Sequence, residues 1–216
     1  MNKTKHIDSW YVLFIIVLTS MLTGCGSMRP TIRSTASQAP TPASPYMHYT
    51  PSKGSNIHLE FDYPASWVFT EEKIQGTDII FVGLGDPRLL TVPTRAPHEP
   101  HGTPSDFGSI SILIQPSKPG QTPYTEFESH TANYRNIHWM TVLDDYKTTV
   151  DGSYAAVLEY QSNDPESSPS LMFNRRVYFM VNSQLYEIIF TVAEKERGGE
   201  FEKGYVYFFD SLEIVS

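Results

Sequence analysis

Leu171-Met172-Phe173-Asn174-Arg175-Arg176-Val177-Tyr178-Phe179-Met180-Val181-Asn182-Ser183-Gln184-Leu185-Tyr186-Glu187-Ile188-Ile189-Phe190-Thr191-Val192-Ala193 is the stretch on which the fold turns. β-Branched and aromatic residues crowd both sides of a polar Asn182-Ser183 pair. That reads as two strands, 171–181 and 184–193, joined by a tight turn. The same pattern recurs just upstream. Asp151-Gly152 is a strong two-residue hairpin signal between a strand over 141–150 and a return strand over 153–161. A polar loop, 162–170, separates the two hairpins.

Nearer the amino terminus, Ile57, Leu59, Phe61 and Tyr63 alternate with His58, Glu60 and Asp62, the period of a half-buried strand. The folded domain is therefore expected to begin near Asn56. Pro64 stops this strand, and shorter ones are expected over 67–70, 78–84 and 109–115. Between the last two, residues 86–107 carry Pro87, Pro93, Pro97, Pro100 and Pro104, which excludes a helix or central strand. A loop of this length in a compact domain is commonly functional or disordered. Thr122-Pro123 suits a helix start, and Tyr124, Phe127, Tyr134 and Ile137 fall near one helical face. A second helix is expected over 199–212, with Phe201, Tyr205, Phe208 and Leu212 on one face. Gly204 would weaken it by about 1 kcal/mol relative to Ala, so packing must hold it. Hairpins with few helices give an α+β class: a mainly antiparallel β-sheet flanked by helices.

The amino terminus reads differently. Lys3 and Lys5 precede an apolar run, Trp10 to Leu22, that is too short to span a bilayer but suits the core of an export signal. The run ends in Leu22-Thr23-Gly24-Cys25, which resembles a lipobox. That resemblance implies removal of residues 1–24 by cleavage between Gly24 and Cys25, and lipid (diacylglycerol, with palmitate-type chains) on the Cys25 sulfur. A plain cleaved signal, or an uncleaved anchor with an incidental cysteine, is the alternative. Residues 25–55 are then a lipidated cysteine and a disordered Ser/Thr/Pro-rich linker, leaving 56–216 as the globular domain. As a flexible coil the linker would reach roughly 30 Å.

Cys25 is the one cysteine, so the chain forms no internal disulfide and no cysteine-based metal cluster. Loss of Lys3, Lys5 and Asp8 with the signal leaves 14 basic against 23 acidic side chains, a net charge of −9. An acidic head repels phosphate backbones and anionic headgroups. No nucleic-acid partner is expected, and membrane attachment must come from the lipid.

Four patterns, in order, carry a second resemblance. Phe61-Asp62-Tyr63-Pro64-Ala65-Ser66-Trp67 resembles the opening of PsbP-like domains. Val150 through Tyr160 resembles their central hairpin, Tyr178 through Val192 the next hairpin, and Phe201 through Ile214 the closing helix. The resemblance covers about 56–215 and implies an antiparallel sheet between helices, an α-β-α sandwich. Members in photosynthetic organisms serve photosystem II at the lumenal side, relatives in other bacteria are exported lipoproteins, and a eukaryotic fold relative binds a small GTPase. No metal-binding motif of the family matches residue by residue.

Chemistry-bearing patterns are sparse. Nucleophile elbows, zinc-protease helices, phosphate loops and dinucleotide fingerprints are absent from the sequence. His98-Glu99-Pro100-His101 offers two imidazoles and a carboxylate, yet Pro100 forbids helical pairing, so His98 and His101 are weak metal candidates in a solvated loop. His58 is expected to be exposed, and His130 and His138 to bracket the first helix. Asp144 and Asp145, like Arg175 and Arg176, point to opposite faces of a strand and are expected to make surface ion pairs. Trp67 and Trp139 read as core or rim aromatics. Tyr205, Tyr207, Phe208 and Phe209 give the last helix more aromatic surface than one face needs, a partner patch if some of it is exposed.

These readings converge on a lipid-anchored, extracytoplasmic binding or assembly protein, not an enzyme, with no cofactor. Its partner would be an envelope or membrane protein, met by the 86–107 loop or a sheet edge; in a photosynthetic cell that partner would be photosystem II. The alternative is a small-molecule or lipid carrier with its cavity between sheet and helices.

Overall fold

The computed structural model describes residues 44–86, 108–164 and 170–215. Strands β1 (Tyr46–Tyr49), β2 (Leu59–Pro64), β3 (Val68–Lys73), β4 (Ile80–Gly85) and β5 (Ser109–Pro116) precede helix α1 (Pro123–Arg135). Then come β6 (Met140–Val150), β7 (Ser153–Ser162), β8 (Met172–Val181), β9 (Gln184–Ala193), helix α2 (Glu200–Asp210) and β10 (Glu213–Ile214). The larger sheet has seven strands in the order β3-β4-β5-β9-β8-β7-β6, and a smaller one runs β1-β2-β10. Every neighbouring pair is antiparallel.

Turn chemistry sets the register. Asp151 (φ 43°) and Gly152 (φ 78°) both take positive φ, the type I′ geometry that matches strand twist, and align Val150 with Ser153. Asn182 (48°) and Ser183 (62°) do the same for β8 and β9, aligning Val181 with Gln184. β6 carries a bulge between Val142 and Asp144, which pushes Leu143 outward.

The large sheet is covered on both faces. Over β6–β8 lies α1, whose start is fixed by a reciprocal cap between Thr122 and Thr125 and by Pro123 in the first turn. Phe127, Tyr134 and Ile137 meet Leu158, Tyr160 and Tyr178 there. The other face buries Ile112, Val157, Phe173, Val177 and Ile188 beneath β2 and α2, which contribute Leu59, Phe61, Tyr205 and Phe208. Fully burying a ring such as Phe208 stabilises by about 2–3 kcal/mol. The expected α+β class, with a mainly antiparallel sheet flanked by helices, is the observed one.

Two features depart from the sequence reading. β1 lies within the stretch read as linker; it is ordered by pairing Tyr46–Tyr49 with Pro64–Phe61 and by stacking of the Tyr49 and Phe61 rings at 4.7 Å. Gly204 is also more than a weak helix residue. A Cβ there would lie 2.5 Å from Trp67 Cζ2 and 3.2 Å from Pro64 Cγ. Glycine lets α2 approach the β2–β3 turn closely.

Candidate functional site

Helix α2 turns Tyr205 and Phe208 into the core and leaves Val206 (46% exposed) and Tyr207 (37%) outside. Tyr207 stacks on Tyr46 of β1 at 3.8 Å between ring centres, and beside Tyr46 stands Met47, 51% exposed. Asp62 ties these elements together. Its backbone N–H donates to Ser211 Oγ (2.8 Å), and its carboxylate accepts from Tyr207 Oη (3.3 Å) and meets His48 Nδ1 (2.7 Å). His48 Nε2 lies 3.5 Å from Glu60 Oε2. The hydrogen bond to Asp62, and then the charges of Asp62 and Glu60, raise the His48 pKa above its usual 6.5.

On the other flank of α2, a hollow of about 230 Å³ opens between the helix and the sheet. Tyr146, Thr148, Val206 and Phe209 form its walls, and Arg175 and Tyr205 its floor. Arg175 Nε donates to Glu159 Oε1 at 2.7 Å, and its guanidinium lies 5.5 Å from the Tyr205 ring centre. Burial raises the Tyr205 phenol well above its ordinary pKa, so it stays protonated. A charge-balanced polar floor with aromatic walls suits a docked side chain of mixed polarity. From Tyr146 through Phe209, Val206 and Tyr207 to Tyr46, apolar and aromatic side chains follow one another along α2 onto β1. Met47, the next residue of β1, points to the opposite face, where Tyr63 Oη meets its sulfur at 3.9 Å.

A second polar cluster lies on the opposite face, closed over by α1. Arg176 Nη1 bonds Glu187 Oε1 at 2.5 Å, and Arg176 Nε donates to Tyr160 Oη at 3.2 Å. The Arg176 guanidinium also stacks 5.4 Å from the Tyr134 ring centre, and Tyr178 Oη lies 2.7 Å from His130 Nδ1. This cluster joins helix to sheet.

The expectation of surface ion pairs is therefore half wrong. Asp144 and Asp145 are exposed, and Asp145 pairs with Arg135 at 2.6 Å. Arg175 and Arg176 instead make well-covered pairs, their side chains only 22% and 15% exposed. They sit on β8, inside the sheet and under a helix on each face, which covers Arg176 and leaves Arg175 reached only through the hollow beside α2. His138 is exposed; His58 is half-buried, with Nδ1 3.3 Å from Asn182 Nδ2. Trp67 and Trp139 are partly buried. Gly24, Cys25, His98, His101 and most of the 86–107 loop lie outside the described residues. Among the described residues, no helix is long and apolar enough to cross a membrane, and no group of three or more His, Cys, Asp or Glu is placed to hold a metal.

No protein-family model matches the sequence, and no curated protein matches it. Solved structures do. LpqN of Mycobacterium tuberculosis, involved in cell envelope biogenesis, aligns with TM-score 0.52 at 12% identity, over 79% of this chain and 92% of that one. Cyanobacterial PsbP from Synechocystis aligns at TM-score 0.49 and 14% identity, over 89% and 98%. The yeast Ran-binding protein Mog1p aligns at 0.44 and 9%, over 79% and 96%. At such identities the likeness to LpqN is one of fold.

Proposed function

We propose that this chain is a lipid-anchored, extracytoplasmic binding or assembly protein that works without catalysis. Lipid on Cys25 holds it to the membrane, and the head docks an apolar, aromatic-rich segment of an envelope or membrane protein. The observation that carries this reading is the exposed stripe on α2 and β1, with Val206 at its centre and the Arg175-floored hollow beside it. Solvent-facing Val and Tyr side chains gathered on one surface mark an interaction site more often than scattered ones do. An envelope role is also the one LpqN has, on the same fold.

The carrier alternative has the hollow beside α2 to draw on, but its volume of about 230 Å³ falls below the roughly 300–1,000 Å³ of ordinary ligand pockets. Between sheet and α2, Phe201, Phe190 and Tyr205 form a continuous ring stack, with Phe201 against Phe190 at 5.9 Å and Phe190 against Tyr205 at 4.3 Å. Beyond the hollow, that part of the interface is filled by the protein's own rings.

The test is site-specific photo-crosslinking of the full chain in membranes of its own cells. A photoreactive residue at Val206 is expected to trap an envelope or membrane protein, and one at Glu128, on the outer side of α1, is not. Val206→Glu, read through a second probe at Tyr207, is expected to abolish the adduct. Equal yields from 206 and 128 would remove the α2 surface from the account.

A further inference from the structure

We propose that the chain pairs with a second copy of itself through the outer edge of β6, in one antiparallel register centred on Tyr146. β6 ends the seven-strand order, and among the described residues no strand pairs with its outer edge. An edge of this length is a ready template for another strand unless it is blunted. The bulge at Leu143 blunts one end, leaving Asp144 to Val150 as a regular run.

The turn decides which residues of that run face outward. A two-residue type I′ loop closes on a hydrogen-bonded pair, here Val150 with Ser153. Hydrogen-bonded and open pairs then alternate along an antiparallel ladder. Val150, Thr148, Tyr146 and Asp144 thus spend their backbone groups on β7, and Thr149, Lys147 and Asp145 direct theirs to the outside. There the Asp145 N–H donates to Asp144 Oδ1 at 2.8 Å and must exchange that side-chain acceptor for the carbonyl of the second copy. A second β6 must match outward residues to outward residues, which leaves few registers. Centring on Asp145 sets carboxylate against carboxylate, and centring on Lys147 sets ammonium against ammonium. Centring on Thr148 sets Lys147 against Thr149 and leaves Asp145 opposite the turn.

Centring on Tyr146 sets Asp145 opposite the Lys147 of the second copy twice over, once on each side of the two-fold axis. Directly opposed charges of unlike sign favour a cross-strand pair and like charges oppose it. Centring on Thr149 would also oppose unlike charges, Lys147 and Asp151, but Asp151 lies in the turn at φ 43° with its carboxylate accepting from the Ile214 N–H, so the Tyr146 register is the one that forms both pairs within the strand. The side chains can oblige. Asp145 bonds Arg135 through Oδ2, leaving Oδ1 to accept from a second partner, and Lys147 Nζ, 4.5 Å from the Tyr124 ring centre, carries three N–H donors, more than that contact uses. On the other face Tyr146, 41% exposed, would meet its own copy at the axis. Tyr146 is also a wall of the Arg175 hollow, so pairing would bring two hollows side by side across the axis.

The test uses the full chain in detergent, with its mass followed by analytical ultracentrifugation up to about 0.1 mM, a range suited to small interfaces. The protein component is expected to reach twice the mass of one processed chain. Asp145→Lys alone and Lys147→Asp alone are each expected to weaken dimerisation by about tenfold or more, and the two together to restore it. Where a single reversal lowers the melting temperature, crosslinking decides. Tyr146→Cys is expected to give a disulfide dimer on mild oxidation beyond that of the unsubstituted chain. Asp144→Cys is not, because its two copies would lie about 13 Å apart along the strands, beyond disulfide reach. A monomer throughout, a dimer indifferent to the single reversals, a charge swap that restores nothing, or equal crosslinking at 144 and 146 overturns the proposal.

Discussion

Gly204→Ala is the sharpest test of how α2 is seated. Helix propensity alone says the change should stabilise, by about 0.8–1.0 kcal/mol. Packing says otherwise. The new Cβ would sit 2.5 Å from Trp67 Cζ2, about 1 Å inside ordinary contact, with Pro64 Cγ at 3.2 Å. Trp67 cannot easily swing away, because its ring stacks on Phe201 at 4.4 Å. Overpacking of this kind costs about 1–3 kcal/mol, so the net loss should be about 0–2 kcal/mol. For a domain of this size that lowers Tm by up to about 8 °C. Urea unfolding of four proteins makes the reasoning falsifiable: the unsubstituted chain, Gly204→Ala, Trp67→Ala and the double variant. With Trp67 removed, Gly204→Ala should change sign and recover most of its propensity gain. A Gly204→Ala chain that is more stable than the parent, with Trp67 present, would refute the close approach of α2 to the β2–β3 turn.

The remaining predictions concern charge. Arg176→Ala strands Glu187 under α1 and should cost about 3–5 kcal/mol, with Arg176→Met plus Glu187→Met much closer to the parent; a loss below about 1 kcal/mol on denaturation would contradict the closed cluster. Lys203→Ala, in an exposed pair with Glu200, should change stability by less than about 1 kcal/mol in the same assay. His48 is held above 6.5 by Asp62 and Glu60, so its contribution to β1 pairing is fully present below pH 6.5 and fades as pH rises through the raised value. NMR titration should place the His48 midpoint above 6.5 and see it fall in Asp62→Asn; a midpoint at or below 6.5 in the parent chain would contradict the Asp62 contact.

Much of the fold was legible because its turns and alternation are local. Asp151-Gly152 and Asn182-Ser183 supply the positive φ their hairpins need, and Thr122-Pro123 marks the start of α1. What stayed hidden depends on distant partners. Tyr46-Met47-His48-Tyr49 looks like linker because its support, Tyr207 and Asp62, comes from elsewhere in the chain. The alternation of Arg175 and Arg176 was readable, but their burial was not, since it follows from β8 lying inside a sheet covered on both faces. The surplus of rings on α2 was visible; which ones face solvent is decided by the side of the helix that Gly204 presses onto Trp67.

The account rests on the attachment of this head to a membrane from outside the cytosol. Mass spectrometry of the amino-terminal peptide, taken from chain expressed from Met1 in its own cells and recovered with the membranes, measures that directly. The predicted product begins at Cys25 and carries diacylglycerol on its sulfur. A peptide with a free Cys25 thiol, or one that still begins at Met1, would contradict it.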